Sequence, residues 1–557
     1  MRKLLTITSL CLIVCIGCKK QSVELPIPSA DHLPSMYITI DDAQKDSIYT
    51  NRNHKADAFA TIVSVDYDTL YEDIIRIKTR GNSTWGHIKK SFSIELNKGT
   101  RLFDIPQTKD FTLLANVYDE SYIRNSIAFD LAREIGLATP NASHIRVYFN
   151  NEYVGLYLLT NKIKVGKRSV NIQDLGKQNK RCNPSPLTSY QWFSYGKPRE
   201  IGQHKGRMLE NNPKDITGGY LLDNTGMDWQ YERIESGFVS QAGDPIRIRS
   251  PKYASVKQVD YIADFYDNME RAIMDSCGYN PYTHKHYSEY IDITSFARYY
   301  ALNELLLNED AGLCSFYMYK DAGETSKMYA GPVWDFDCAM LSPKMLGIFH
   351  SAQEIYVAAK MGEFGEPHSG NLLYHLCKHE EFMDSVKNVY RYELYPAIRE
   401  MLESDYMDSL QNLLLSDAEI DNQLYSIRQS ASYRDAIQLI KDFLNERSDF
   451  LYWFWTSDES ERICVKVVGN NYTHVPHERE ICLCGKRDKG IVLPPIKQQI
   501  MYNKSPNIVW YSLQENRQLQ EGDTIKESQT IEIRQIPPSW LKVQKRRVKK
   551  KLHKIWS

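Results

Sequence analysis

Apolar and polar residues alternate through the first third of the chain. The runs "MYITI", "FATIVSV", "IIRIKTR" and "KSFSIEL", between Ser35 and Leu96, each place every second side chain on one face. That period of two predicts half-buried β-strands. The pattern then lengthens. "DESYIRNSIAFDLAREIG" has a helical period, with Asp119 as N-cap and Gly136 as stop. Two further strands, "HIRVYFN" and "YVGLYLLTNKI", join across Asn150-Asn151, and "GGYLLDN" reads as another. Residues 174–215 are polar and read as a loop insertion.

Helical periodicity dominates afterwards. Ser255 with Gln258 forms a capping box for a helix reaching about Asp275, and Asp292 caps "ITSFARYYALNELLLNE". "SFYMYKD" and "KMYAGPVWDFD" form a hairpin around "AGETS". Helices fill roughly 370–455 and end at "FLYWFW". Short strands return in "ICVKVV", "IVWYSL" and "TIEIRQI". The order predicts an α+β chain with a β-rich lobe over 36–175 and an α-rich lobe over 216–455. A small β domain follows over 460–540, then a basic tail over 541–557.

Length and charge change this picture little. At 557 residues the chain is too long for one compact core. Its 69 Lys+Arg against 70 Asp+Glu leave a net charge of −1, so nothing calls for nucleic acid. The N-terminus adds more. "MRKLLTITSLCLIVCIGCKK" has a basic start and an apolar run too short to span a bilayer, as a signal peptide does. Gly17 before Cys18 resembles a lipobox, although Cys15 stands where Leu is usual. The expectation is cleavage and lipidation at Cys18, a tether over 19–35, and an extracytoplasmic protein anchored to a bacterial membrane. The scattered cysteines are no disulfide scaffold. Cys482 and Cys484, with His474 and His477, fit no standard zinc spacing and read as strand residues.

The candidate chemistry lies in two halves. If 88–96 is one strand, Ile88, Lys90, Phe92, Ile94 and Leu96 share the apolar face and Lys89 points to solvent. Lys90 then needs an anion, because desolvating an ammonium is costly. Glu134 falls inside the apolar arc of the helix after Asp119, so a Lys90–Glu134 pair is expected. A strand lysine paired with a helix glutamate orients ATP phosphates in protein kinases; a structural ion pair is the alternative. "RGNST" beside that strand offers Arg80, Asn82 and Ser83 to a phosphate, though no P-loop or GxGxxG motif is present. In the second half, a helix runs into Asp310, and a hairpin then leads to Asp335 and Asp337. Alone, Asp-x-Asp suggests a turn. After Asp310 and a hairpin it follows the order of a kinase catalytic segment, whose first aspartate accepts the hydroxyl proton and whose second binds Mg²⁺. If the strand stays extended through 337, the two carboxylates share one face about 7 Å apart.

Together, "RGNSTWGHIKKSFSIEL", "DFTLLANVYDESYIRNSIAFDLAREIG", "NNEYVGLYLLTNKIKVG", "GGYLLDN" and "DITSFARYYALNELLLNEDAGLCSFYMYKD…KMYAGPVWDFD" resemble the CotH kinase family, the spore-coat protein H-like atypical kinases. The resemblance covers roughly 36–450. It implies a divergent protein-kinase-like two-lobed fold, secretion, and Mg²⁺- or Mn²⁺-dependent transfer of the ATP γ-phosphate to Ser or Thr of a protein. It matches Asp310 to the catalytic aspartate, Asp335 to the metal-binding aspartate and Lys90 to the phosphate lysine. Two departures stand out. Asn161-Lys162 replaces a common Glu-Gln, and Ser315 stands where kinases carry an asparagine. The leading expectation is an extracytoplasmic Ser/Thr kinase. The alternative is an inactive kinase-like scaffold that binds a surface polymer or protein. A glycosidase fits poorly, since it needs two opposed carboxylates.

Overall fold

The computed structural model describes residues 33–183, 204–205, 209–225, 234–308, 310–312, 314–342, 350–355, 372–469, 481–496, 499–500, 503–504 and 508–535. The signal segment with Cys18, tether residues 19–32, His474, His477 and the basic tail lie outside them; the tether expected to reach 35 ends earlier, since Leu33 is in the core and Ser35 opens a strand. Among the described residues no helix is long and apolar enough to cross a membrane.

The alternating strands close into a seven-stranded barrel. They are β1 (Ser35–Thr39), β2 (Ala56–Val63), β3 (Thr69–Arg80), β4 (Ser91–Leu102), β5 (Ile105–Leu114), β6 (Ala142–Phe149) and β7 (Glu152–Asn161). Their order is β1-β2-β3-β4-β5-β7-β6, closed by the parallel pair of β1 with β6. Closure leaves no free sheet edge. Every second residue points inward, so Ile75, Ile77, Phe92, Ile94, Phe111, Leu113, Val147 and Leu159 fill one apolar interior. The α+β class holds; the barrel itself was not foreseen. Helix α1 (Asp42–Thr50) follows β1, capped by Asp41, and α2 (Arg124–Glu134) lies between β5 and β6.

A second core joins everything else. Its sheet has the order β13-β12-β9-β11-β10-β8, from β8 (His204–Lys205), β9 (Tyr220–Asn224), β10 (Gly237–Val239), β11 (Pro245–Ser250), β12 (Phe316–Lys320) and β13 (Met328–Ala330). The foreseen capping box starts α3 (Val256–Met274), and Asp292 caps α4 (Ile293–Leu306) through Ser295 N at 2.8 Å. Helices α5 (Glu380–Val389), α6 (Tyr395–Glu403), α7 (Tyr406–Tyr425) and α8 (Tyr433–Thr456) complete this half. Part of the expected loop insertion is a helix, Leu175–Cys182, capped by Asp174.

The C-terminal strands do not stand apart. β14 (Glu354–Ile355) pairs with β16 (Ile481–Lys486), which pairs with β15 (Arg462–Gly469). Ile463, Val465, Leu483 and Trp510 belong to the same core as the helices. A disulfide joins the cross-strand neighbours Cys464 and Cys484.

Candidate active site

α4 ends where Leu307 turns left-handed at φ 50°, and the chain then delivers Asp310. Asn308 fixes this turn: its Oδ1 accepts the Asp310 amide at 3.2 Å, and its Nδ2 donates to Asn303 Oδ1 at 2.9 Å. Five residues on, Ser315 Oγ donates to Asp335 Oδ2 at 3.0 Å. The strand expected to run to Asp337 stops at Ala330, and Asp335 sits at φ 73°. The pair therefore stands on a loop, not on one strand face. A left-handed aspartate is tolerated because its short side chain can bond locally.

The loop seats on the start of α2. Asn125 Oδ1 accepts the Phe336 amide at 3.0 Å. Arg124, fully buried, donates to the carbonyls of Ala339 (2.9 Å) and Met340 (3.4 Å) and to Asp119 Oδ1 (2.5 Å). The N-cap position of α2 is Ile123 rather than the expected Asp119; Asp119, five residues before the helix, accepts the amides of Ser121 and Arg124.

Carboxylates thus converge. Burial raises the pKa of Asp335 above the usual range; the Ser315 hydrogen bond and Arg80 oppose this, and Asp223 adds to it. Burial also raises Asp337 well above its usual range, reinforced by the charges of Asp335, Asp119 and Asp310. Asp223, on β9 opposite Tyr317 of β12, is 2% exposed. Its Oδ2 accepts Arg249 Nε and Nη2 at 2.8 and 2.5 Å, while its buried Oδ1 has no partner among the described residues. Among the described residues no three Asp, Glu, His or Cys side chains come close enough to hold a metal by themselves. A cation here would rest on two carboxylates and be completed by phosphate and water. Mutual repulsion and an orphaned carboxylate oxygen are what such a cation relieves.

One cation reaches this cluster from the barrel. Arg80, last residue of β3, lies over the Trp334 ring at 5.4 Å and within electrostatic reach of Asp335. Lys162 follows β7, its amide bonded to Asp110 O at 3.1 Å. Its side chain is exposed, yet desolvation by the surrounding protein lowers its pKa to about 8, with Asp110 opposing this and Arg80, Arg249 and Lys78 adding to it.

Two expected residues fall elsewhere. Residues 87–89 are a bend and Lys90 lies between it and β4, so the strand alternation does not reach them. Ile88 is 81% exposed, Lys89 is the buried lysine, and Lys90 is only half-buried. Lys90 caps the carbonyl of Trp85 and lies over that ring at 4.7 Å. Glu134 is exposed in the last turn of α2 and forms no ion pair with Lys90. Lys89 Nζ instead donates to Asp421 Oδ2 (2.5 Å), Leu156 O (2.5 Å) and Ala115 O (2.9 Å). In "RGNST", Asn82 Oδ1 accepts Arg52 Nη1 at 3.1 Å, and Ser83 is exposed at the start of a 3₁₀ turn.

The family model for CotH kinase protein matches residues 77–451, more than half of the chain. The chain belongs to the CotH kinase family. The matched span holds Arg80, Asp119, Lys162, Asp223, Asp310, Asp335 and Asp337. No curated protein matches the chain. Sequence reasoning missed Asp223, and it named Asp119 only as a helix cap and Lys162 only as a departure from the family pattern. Asp223 had a readable signal: a carboxylate directly after the apolar run "YLL" needs a partner.

Proposed function

We propose that the chain is an extracytoplasmic atypical protein kinase that transfers the γ-phosphate of ATP to Ser or Thr of a protein. The observation that carries this reading is that Asp335 and Asp337 lie within electrostatic reach of each other, with Asp310 acting on Asp337 and Arg80 on Asp335, while Arg80 has no ion pair among the described residues. Asp335 and Asp337 are the residues that would hold Mg²⁺ or Mn²⁺. When bound, the ion supplies charge neutralisation at the phosphoryl oxygens. Ser315 orients Asp335 through its hydrogen bond. Asp310, on a turn pinned by Asn308, accepts the proton of the acceptor hydroxyl. Arg80 and the 82–83 turn lie on the phosphate side. Lys90 and Glu134 have no role in it, because their pair is not formed. The Cys464–Cys484 disulfide and the apolar N-terminal run both favour an oxidising, extracytoplasmic compartment with anchorage through Cys18.

A scaffold reading is favoured by one observation: Ser315, a poor cation ligand, stands where kinases place asparagine, and its hydroxyl is already engaged by Asp335. The test is nucleotide binding followed by transfer. Residues 19–557, mixed with ATP and Mg²⁺ or Mn²⁺, are expected to melt at higher temperature. Labelled ATP is expected to give a phosphoprotein that Asp310→Asn and Asp335→Asn abolish. No thermal shift with any nucleotide leaves the scaffold. Incorporation surviving both substitutions overturns the residue roles.

A further inference from the structure

The loop that carries Asp335 and Asp337 is held at several points, and one of them lies between the two aspartates. Asn125, the second residue of α2 and 2% exposed, accepts the Phe336 amide at 3.0 Å. Phe336 separates Asp335 from Asp337, so this hydrogen bond fixes the peptide that spaces them. Arg124 holds the loop further on, through the carbonyls of Ala339 and Met340 at 2.9 and 3.4 Å. The Met340 amide donates to Leu306 O at 2.8 Å, which ties the loop to the last residue of α4. Ser315 holds the Asp335 side chain. The Asp335 backbone is left-handed at φ 73°. Such a conformation persists only where its surroundings impose it. The two carboxylates also repel each other, and a loop free to move would separate them.

We propose that Asn125 is the positioning residue of the cation site: its side-chain oxygen sets the spacing of Asp335 and Asp337 before a divalent cation arrives. This role rests on the two aspartates being cation ligands, as the kinase reading has them, and not on phosphoryl transfer. Without this acceptor the amide of buried Phe336 must find another, and the peptide between the aspartates turns to do so. The cation must then gather two mutually repelling carboxylates as well as bind them. Partners that orient metal ligands without touching the metal are worth about tenfold to a hundredfold in affinity. Asn125 lies on a helix between β5 and β6 of the barrel, whereas Ser315 and Leu306 flank the Asp310 turn. The cation site therefore depends on both parts of the chain.

Mn²⁺ alone, titrated into residues 19–557 and followed by electron paramagnetic resonance, tests this without nucleotide or activity. Asn125→Leu and Asn125→Ala remove the acceptor and are each expected to weaken Mn²⁺ binding about tenfold or more. Asn125→Asp keeps an oxygen in that place and is expected to bind at least as tightly as the wild type. Asn179→Leu is the control: Asn179 is also buried, and its side chain bonds Tyr253 O and Gln258 instead. It is expected to lower the melting temperature as Asn125→Leu does, yet to change Mn²⁺ affinity less than about twofold. Circular dichroism checks folding, and Asn125→Ala is read where Asn125→Leu does not fold. Mn²⁺ affinity that Asn125→Leu and Asn125→Ala leave unchanged, or that Asn125→Asp or Asn179→Leu weakens equally, overturns the positioning role and keeps the cation site. A wild-type chain that takes up no Mn²⁺, with or without ATP, overturns the cation site and the kinase together. Mn²⁺ binding that depends on Asn125, in a chain that transfers no phosphate from ATP, keeps the positioning role and sinks the kinase.

Discussion

Removing either partner of the buried pair Lys89–Asp421 tests the structure where it most contradicts the sequence pattern. Their side chains are 1% and 0% exposed. In Asp421→Asn, Lys89 keeps the carbonyls of Ala115 and Leu156 and the Tyr157 and Tyr122 rings at 4.6 and 5.2 Å, but loses its counter-ion. The direct cost of an uncompensated buried charge is about 3–5 kcal/mol. The lysine can escape by giving up its proton. From an ordinary value of 10.5, that sets a ceiling of about 5 kcal/mol at pH 7 and about 2 kcal/mol at pH 9. Lys89→Met leaves Asp421 with the Tyr122 hydroxyl and the Leu156 amide, each at 3.1 Å. Its escape is protonation, with a ceiling of about 4 kcal/mol at pH 7 that shrinks as pH falls. The two single variants are thus expected to lose stability with opposite pH trends. The double variant Lys89→Met/Asp421→Asn is expected to recover most of the loss. Urea unfolding followed by near-UV circular dichroism at pH 5.5, 7 and 9 measures all three. A Lys89→Met change under about 0.5 kcal/mol, as for a solvated lysine, or strict additivity in the double variant, refutes the buried pair.

Three other outcomes follow from the site and its surroundings. Asp337→Asn removes one of several mutually repelling carboxylates, so the protein without metal is expected to melt higher while phosphoryl transfer is lost; a lower melting temperature contradicts the crowding. Glu270 is buried against Ser240 and Ala242, and burial raises its pKa to about 7. Between its ordinary 4.5 and 7 the folded state binds more protons than the unfolded state. Stability therefore falls as pH rises through that window, and Glu270→Gln is expected to flatten the slope. Reducing Cys464–Cys484, 20 residues apart in sequence, is expected to cost about 3 kcal/mol. Hydrogen exchange should locate that loss in the C-terminal sheet rather than in the barrel.

Local patterns were legible and long-range ones were not. Phe92, Ile94 and Leu96 are buried as alternation demanded, and Ser255 and Asp292 cap the helices they were expected to cap. Barrel closure rests on β1 meeting β6 more than a hundred positions later, for which alternation carries no signal. Lys90 was chosen over Lys89 because the period was extended into a bend, where side-chain direction is no longer set by the pleat. Glu134 was placed by helical angle alone. Depth along the axis decided otherwise: Arg124–Phe129 are buried all round, while the last turn reaches the surface. Asp335 and Asp337 stand on a left-handed loop held by α2, not on one face of an extended strand as the pattern suggested.

Buried ion pairs link the barrel to the helical half. Asp417 and Asp421 lie one turn apart on α7 and take Arg146 of β6 and Lys89 before β4. α7 packs on α8, whose fully buried Arg447 binds Glu304 Oε1 at 2.7 Å and the Glu304 carbonyl. Glu304 sits near the end of α4, just before the turn that carries Asp310. Charge pairs at either end, joined by the packing of α7 on α8, therefore connect the barrel that presents Arg80 to the helix that presents Asp310. Such pairs add little net stability, since desolvation offsets most of their attraction. What they supply is a fixed geometry, because each charge has one acceptable partner position. Phosphoryl transfer depends on positioning more than on covalent chemistry. The double variant Lys89→Met/Asp421→Asn thus separates the two roles. Recovered stability with transfer reduced at least tenfold identifies the pair as a positioning device; recovered stability with full transfer shows that packing alone sets the cleft.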